Sequence, residues 1–291
     1  MTLVAARRPV SRLGGYLSPV AGTRAVMTHR THELAILALL TLAPVAAWAI
    51  TPSSSLARAI VDIRELPATQ VALAPGRALV ELFTSQGCSS CPAADRLMSR
   101  LGSADTEVLA FHVDYWNYIG WTDPFSSRRW SERQSAYAAV WKENRVYTPQ
   151  AVVDGQLEGV GSDERWLRGA LRQRLGAERG RFAIQSLDEA RREFSVEVEL
   201  VAAQGPAEVW LAVTESGFKT PVGSGENARA TLANDHVVLA LARLGDLSGG
   251  GRKRFVARLE GSPATAHVQR LVAFAVEPRR RAILGAASRE W

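Results

Sequence analysis

Cysteine is almost missing from this chain: its 291 residues contain two, Cys88 and Cys91. That excludes a disulfide-stapled scaffold, which needs several bridges, and a four-cysteine zinc site, which needs twice as many thiolates. Histidine is nearly as scarce. Beyond residue 49 only His112, His236 and His267 could serve as imidazole ligands. A copper or zinc centre would have to join both cysteines to one of them, and no metal ligand set is assigned from the sequence. A long apolar run is lacking too. The best candidate, Leu34–Ala43, stops at Pro44, well short of the roughly 20 residues of a membrane span. Excess positive charge is missing where it would matter. The formal charge is +6, but residues 1–49 hold five arginines and one glutamate, which leaves 30 basic against 28 acidic residues in the rest. A basic footprint for nucleic acid is therefore absent from the folded part. No internal repeat or low-complexity tract is present, and no cofactor is expected.

What is there is a globular composition, 47% hydrophobic and 22% charged, and a length sufficient for two domains with cores. The N-terminal segment reads as export machinery. Arg30 and His32 precede the apolar run, and Ala47-Trp48-Ala49 after Pro44 resembles a small-residue cleavage site. A cleaved signal peptide is the favoured reading over an uncleaved membrane anchor. Met27 opens a segment of ordinary signal length, so translation is expected to start there rather than at Met1. The protein is accordingly expected to be exported, periplasmic or secreted, where two close thiols oxidise unless a partner reduces them.

The two cysteines stand three residues apart in Gly87-Cys88-Ser89-Ser90-Cys91-Pro92. As a staple this pair achieves little, because closing a four-residue ring contributes about 2 kcal/mol by chain entropy. Reactive thiol–disulfide chemistry is the better reason for it. The pair follows the apolar strand Ala78–Phe83 and opens a helix marked by Ala94, Leu97, Met98 and Leu101 at helical spacing. That places the Cys88 sulfur at a helix N-terminus, where unpaired amides and the helix dipole favour the attacking thiolate. Cys91, one turn further in, is positioned to resolve a mixed disulfide.

A second strand, Glu107–Val113, follows. Then come an aromatic loop with Tyr115, Trp116, Tyr118, Trp121 and Phe125, a helix around Trp130–Trp141, and a hairpin turning at Asp154-Gly155. A helix capped by Ser162 or Asp163 closes the stretch. Near residue 180 the pattern changes to alternating strands around 194–200, 207–214, 236–242, 252–259 and 269–276. The domains expected are residues 1–49 as extension and signal, 50–76 as linker, 77–178 as an α/β domain with a helical insertion, and 179–291 as a β-sandwich.

The α/β order resembles the thioredoxin fold, and that resemblance adds roles. It implies that Pro149, in Tyr147-Thr148-Pro149-Gln150, is a cis proline facing the cysteines and that Thr148 offers backbone to a substrate peptide. It implies a buried carboxylate beneath the pair, for which Glu81 stands in the right strand. Read from the residues alone, Glu81 is instead a strand-face glutamate, exposed or ion-paired, and that is favoured. The aromatic loop either lines a substrate groove, with Trp116 and Trp121 as its walls, or covers a sheet edge. Longer strings carry a closer likeness: Glu81–Pro92, His112–Trp116, Gly120–Phe125, Val146–Gln150, Gly225-Glu226-Asn227 and Asp235–Val238. They resemble a family of exported bacterial thioredoxin-like proteins catalogued only as a domain of unknown function. The likeness spans about residues 77–291 and supplies no substrate.

The fold expected is thus an α/β thioredoxin-like domain followed by an all-β immunoglobulin-like sandwich. The function expected is a thiol–disulfide oxidoreductase acting on exported protein thiols or disulfides with a redox partner protein. The alternatives are a copper- or zinc-handling protein using the two thiolates, and a secreted binding module with a passive disulfide.

Overall fold

The computed structural model describes residues 59–101, 105–201, 205–248, 250–261 and 268–291. The export segment, the Met27 start and residues 50–58 of the region read as a linker lie outside them. In chain order the elements are β1 (Ala59–Leu66), β2 (Ala74–Pro75), β3 (Ala78–Thr84), α1 (Cys91–Leu101), β4 (Thr106–His112), α2 (Arg128–Trp141), β5 (Gln150–Val153), β6 (Leu157–Val160) and α3 (Glu164–Arg174). Then follow β7 (Arg181–Asp188), β8 (Glu193–Leu200), β9 (Ala207–Ser216), β10 (Phe218–Pro221), β11 (Thr231–Asn234), β12 (Val237–Leu247), β13 (Gly251–Glu260), β14 (Val268–Glu277) and β15 (Ala282–Glu290).

β3 and β4 are buried at every position and pair in parallel, in keeping with their mostly apolar character. β5 runs antiparallel beside β3, and β6 beside β5. The β5–β6 turn has Asp154 and Gly155 both at positive φ, 50° and 65°, in a tight loop of Asp154, Gly155 and Gln156 between the paired Val153 and Leu157. A Cβ on Gly155 would stand 2.0 Å from the Arg281 carbonyl oxygen, so only glycine fits there.

The expectation of an α/β thioredoxin-like domain followed by a separate immunoglobulin-like sandwich is corrected here. The molecule is mostly β, and one eight-stranded sheet in the order β15-β14-β9-β12-β4-β3-β5-β6 runs through both halves of the chain. Its seam is a parallel bridge between Val237 of β12 and Ala110 of β4, where the Ala110 amide donates to the His236 carbonyl at 2.9 Å. The cores are shared as well. On one face α2 packs Trp130 and Tyr137 against Leu79, Phe83, Leu109 and Phe111 from the first half and Ala212, Val272 and Phe274 from the second. On the other face α1 and α3 cover the β3–β6 end. A five-stranded sheet, β1-β13-β8-β7-β2, covers β9, β12 and β14. The sheet curls far enough round α2 that Arg77 and Ala286 of β15 exchange two backbone hydrogen bonds, at 2.7 and 3.1 Å. β1 arises in the region read as a linker. It pairs with β13 through a mostly exposed, charge-rich face.

Strand alternation decides which face each polar group meets. In β3, Val80, Leu82 and Thr84 point toward α1 and α3, whereas Leu79, Glu81 and Phe83 point toward α2. Glu81 is wholly buried there. The Arg133 guanidinium donates to it at 2.6 Å, and the Tyr137 hydroxyl bonds its second oxygen. The Arg133 guanidinium lies over the rings of Phe111 and Phe274, at 5.3 and 5.6 Å. Burial pushes its pKa down, but the charges and hydrogen bonds of Glu81 and Tyr137 together outweigh this and raise it. Arg133→Met leaves Glu81 buried and unpaired. It is expected to cost about 3–5 kcal/mol in urea unfolding, whereas Glu81→Leu combined with Arg133→Met recovers most of that loss.

Candidate functional site

β3 ends at Thr84 and the chain turns tightly before α1. The Cys88 amide donates to the Ser85 carbonyl at 3.2 Å, and the Gly87 amide to the Ser85 hydroxyl at 3.0 Å. Cys91 is the first residue of α1, and its sulfur is bonded to that of Cys88 across a Cα–Cα distance of 5.4 Å. The Ser90 hydroxyl lies 3.3 Å from the Cys88 sulfur. Cys88 is 1% exposed and Cys91 0%, while Ser89 and Ser90 between them face solvent. The disulfide thus sits just beneath the surface, with its connecting serines outside. On reduction, Cys88 would stand before the first turn of α1, where the helix dipole favours a thiolate.

Three segments converge on this turn. The Thr148–Pro149 peptide bond is cis, and Pro149 is buried. The Thr148 hydroxyl accepts from the Trp116 indole N–H at 2.7 Å. The Trp121 indole N–H donates to the Gln86 side-chain carbonyl at 3.2 Å. Both tryptophans are half-buried, and Tyr118 between them is 83% exposed. The third segment is the 222–230 loop joining β10 to β11. Its Asn227 amide donates to the carbonyls of Gln86 and Cys88 at 2.9 and 3.0 Å. The Glu226 carboxylate accepts from the Ser89 amide at 2.9 Å, and hydrogen bonding to the Ser89 hydroxyl and amide together holds Glu226 below the usual carboxylate range. The Ser224 hydroxyl bonds the Gly120 carbonyl, tying the loop to the aromatic segment as well.

Below the turn lies a buried polar cluster. Asp95 is part of the inward stripe of α1, with Cys91, Ala94, Leu97, Met98 and Leu101. Its carboxylate accepts from the Thr84 hydroxyl at 2.9 Å and from the Asn234 amide at 3.4 Å. His112 ends β4, with Nδ1 2.7 Å from Asp123 Oδ2 and Nε2 buried without a hydrogen-bond partner. The same Asp123 oxygen accepts from the Gln86 amide at 2.8 Å. The Gln86 side-chain amide donates to Asn234 at 2.8 Å. Burial raises Asp95 to about 6, against the opposing His112 charge and Thr84 hydrogen bond. Burial pulls His112 down, but the Asp123 charge and hydrogen bond, with the Asp95 charge, outweigh it and raise the imidazole.

Of the residues singled out in the sequence, Cys88, Cys91, Pro149, Thr148, Trp116 and Trp121 gather at one site. Glu81 does not join them, because it lies on the α2 face with both oxygens engaged. Among the described residues no group of three or more histidine, cysteine or acidic side chains is arranged to hold a metal ion. His236 opens the way into β12, where burial and the Arg270 charge lower its pKa, and His267 lies outside the described residues. Sequence reading passed over Asp95, Asp123, Gln86, Asn234 and the roles of Glu226 and Asn227. Asp95 had a signal: it is an acid inside an apolar helical stripe, four residues after Cys91. Asn234 and Asn227 had none, because only the β4–β12 seam brings them near.

Residues 79–276 match a family model described as Protein of unknown function (DUF1223). A solved crystal structure of a protein from Agrobacterium tumefaciens is similar at 27% identity and a TM-score of 0.58. The match covers 75% of this chain and 95% of that one. No curated protein matches the chain.

Two outcomes follow from the geometry. Asp95 binds its proton more tightly folded than unfolded, so its contribution to stability is present in acid and lost as pH rises from about 4 to 6. His112, raised above 6.5, loses its contribution in the same direction through its folded pKa. The Asp95 contribution is about 3 kcal/mol. Asp95→Asn is therefore expected to flatten the fall in unfolding free energy between pH 4 and 7 relative to the parent, measured by urea titration at each pH. Asn227→Ala removes two bonds to the cysteine turn. It is expected to speed reduction of the disulfide by dithiothreitol about tenfold, and an unchanged rate would show that the loop does not restrict access.

Proposed function

Because the chain belongs to the DUF1223 family, a family of unknown function, we propose its function from the site itself: Cys88–Cys91 exchanges thiols and disulfides with exported proteins. The observation that carries this is a lone cysteine pair joined across the opening of α1. The Thr148–Pro149 backbone, Trp116 and Trp121 surround it, and no other cysteine competes. A substrate thiolate attacks the Cys88 sulfur, which lies beside the exposed Ser89 and Ser90, and Cys91 leaves as the second thiolate. The half-exposed Thr148 and Tyr147 and the aromatic segment offer the surface on which a peptide would lie. Export rests on the apolar run before Ala47-Trp48-Ala49 and is part of the proposal.

A second reading has its own support. Both sulfurs are covered, which suits a passive bridge in a secreted binding module. The two part on one experiment. Cys91→Ser, expressed in full in the native compartment, is expected to accumulate a mixed disulfide through Cys88. The adduct is released by reductant and is absent when Cys88→Ser is added. If the variant yields no adduct, the passive reading stands.

A further inference from the structure

We propose that Asp95 stores and returns the proton of Cys91 during disulfide exchange, with His112 as the counter-charge that lets this carboxyl ionise inside the protein. The inference rests on the exchange reading above and assigns its buried proton.

The need follows from burial. When the disulfide opens, the electron pair leaves on Cys91, whose residue is 0% exposed. A thiolate at that depth needs a proton or a partner charge from the protein, because water does not reach it. Asp95 is the only acidic residue of α1 and shares its buried stripe. Side chains four apart on a helix stand about 5–6 Å from one another at their Cβ atoms. The groups facing Asp95 come from every neighbouring element. Thr84 of β3 and Asn234 of β11 bond it, His112 of β4 and Asp123 of the following loop act on it by charge, and Arg96 does so from its own helix. His112 turns Nδ1 to Asp123 and leaves Nε2 buried and unpartnered. As an imidazolium it balances a second carboxylate without being consumed by it. Glu81 is unsuited, since the sheet separates it from α1 and Arg133 and Tyr137 hold both of its oxygens.

A substrate thiolate bonds to the Cys88 sulfur and the Cys88–Cys91 bond breaks. Cys91 takes the electron pair, then the proton of the Asp95 carboxyl, leaving a neutral thiol and a carboxylate facing His112. A second thiolate of the same substrate attacks its own sulfur in the mixed disulfide and expels Cys88. The substrate is thereby oxidised by two electrons and the pair reduced. In the reverse direction the Asp95 carboxylate takes the Cys91 proton, and Cys91 attacks the mixed disulfide. The acid sits near neutrality, raised to about 6 by burial against the His112 charge, which suits transfer in both directions.

The test uses the full chain, reduced and then mixed with oxidised glutathione. Stopped flow and mass spectrometry follow formation of the Cys88–glutathione adduct and its resolution by Cys91. With Asp95→Asn, adduct formation is expected to keep the parent rate. Resolution should slow about a hundredfold and lose its inflection near pH 6, whereas with Glu81→Gln that inflection stays. Resolution at the parent rate and pH profile in Asp95→Asn would overturn the assignment while leaving exchange intact. If the parent forms no adduct, exchange itself fails and this assignment falls with it. Should Asp95→Asn not fold, infrared difference spectra of the parent serve instead. A carboxyl band sensitive to deuterium, present in the oxidised protein and lost on reduction near pH 6, supports the transfer; no carboxyl change contradicts it.

Discussion

The parallel bridge between Ala110 of β4 and Val237 of β12 makes one sheet out of two runs of secondary structure. The rest of the site depends on it. β12 is entered directly from the β10–β11 hairpin, so fixing its first residue against β4 also fixes the hairpin beside α1. Asn234 then reaches Asp95 and Gln86, and the 222–230 loop reaches the cysteine turn. A second half hung on a flexible linker would leave Cys88 without Asn227 and Glu226. The residues that hold the disulfide turn thus come from positions more than 130 apart in the chain.

The sheet also keeps two sets of buried charge from mixing. On the α2 face both Glu81 oxygens are engaged, one by Arg133 and the other by Tyr137. On the α1 face Asp95, His112 and Asp123 form an open network, with an imidazole nitrogen unpartnered and a carboxyl held near neutrality. An ion pair between a core strand and the helix packed on it anchors structure. An open set within a turn of a disulfide has both the charge and the spare capacity for chemistry. Strand alternation alone, two residues at a time, sends Glu81 one way and Thr84 the other.

How much of this could be read from residues varies by element, for physical reasons. The three helices of the described residues were legible because each carries an apolar stripe at helical spacing, and β3 and β4 because they are short, mostly apolar runs. The Asp154-Gly155 hairpin was legible because both residues must take positive φ. β1 was not, since Asp62, Arg64 and Glu65 pair with charges on Arg258, Glu193 and Lys253 at an exposed edge and leave little periodic signal. The continuity of the sheet was illegible because one parallel bridge has no sequence mark, and for that reason two separate domains were expected. At the site, Cys88, Cys91 and Thr148-Pro149 were legible from local chemistry. Asp95 was hidden by the assumption that a carboxylate beneath the pair comes from the strand.

Exchange with exported proteins requires Cys88–Cys91 to be a working redox pair. Its reduction potential tests that most directly, by equilibrating the intact chain in glutathione buffers and trapping free thiols. The value expected lies within about −270 to −120 mV, where catalytic dithiols lie, and a value below about −300 mV, that of a structural bridge, would overturn the exchange function.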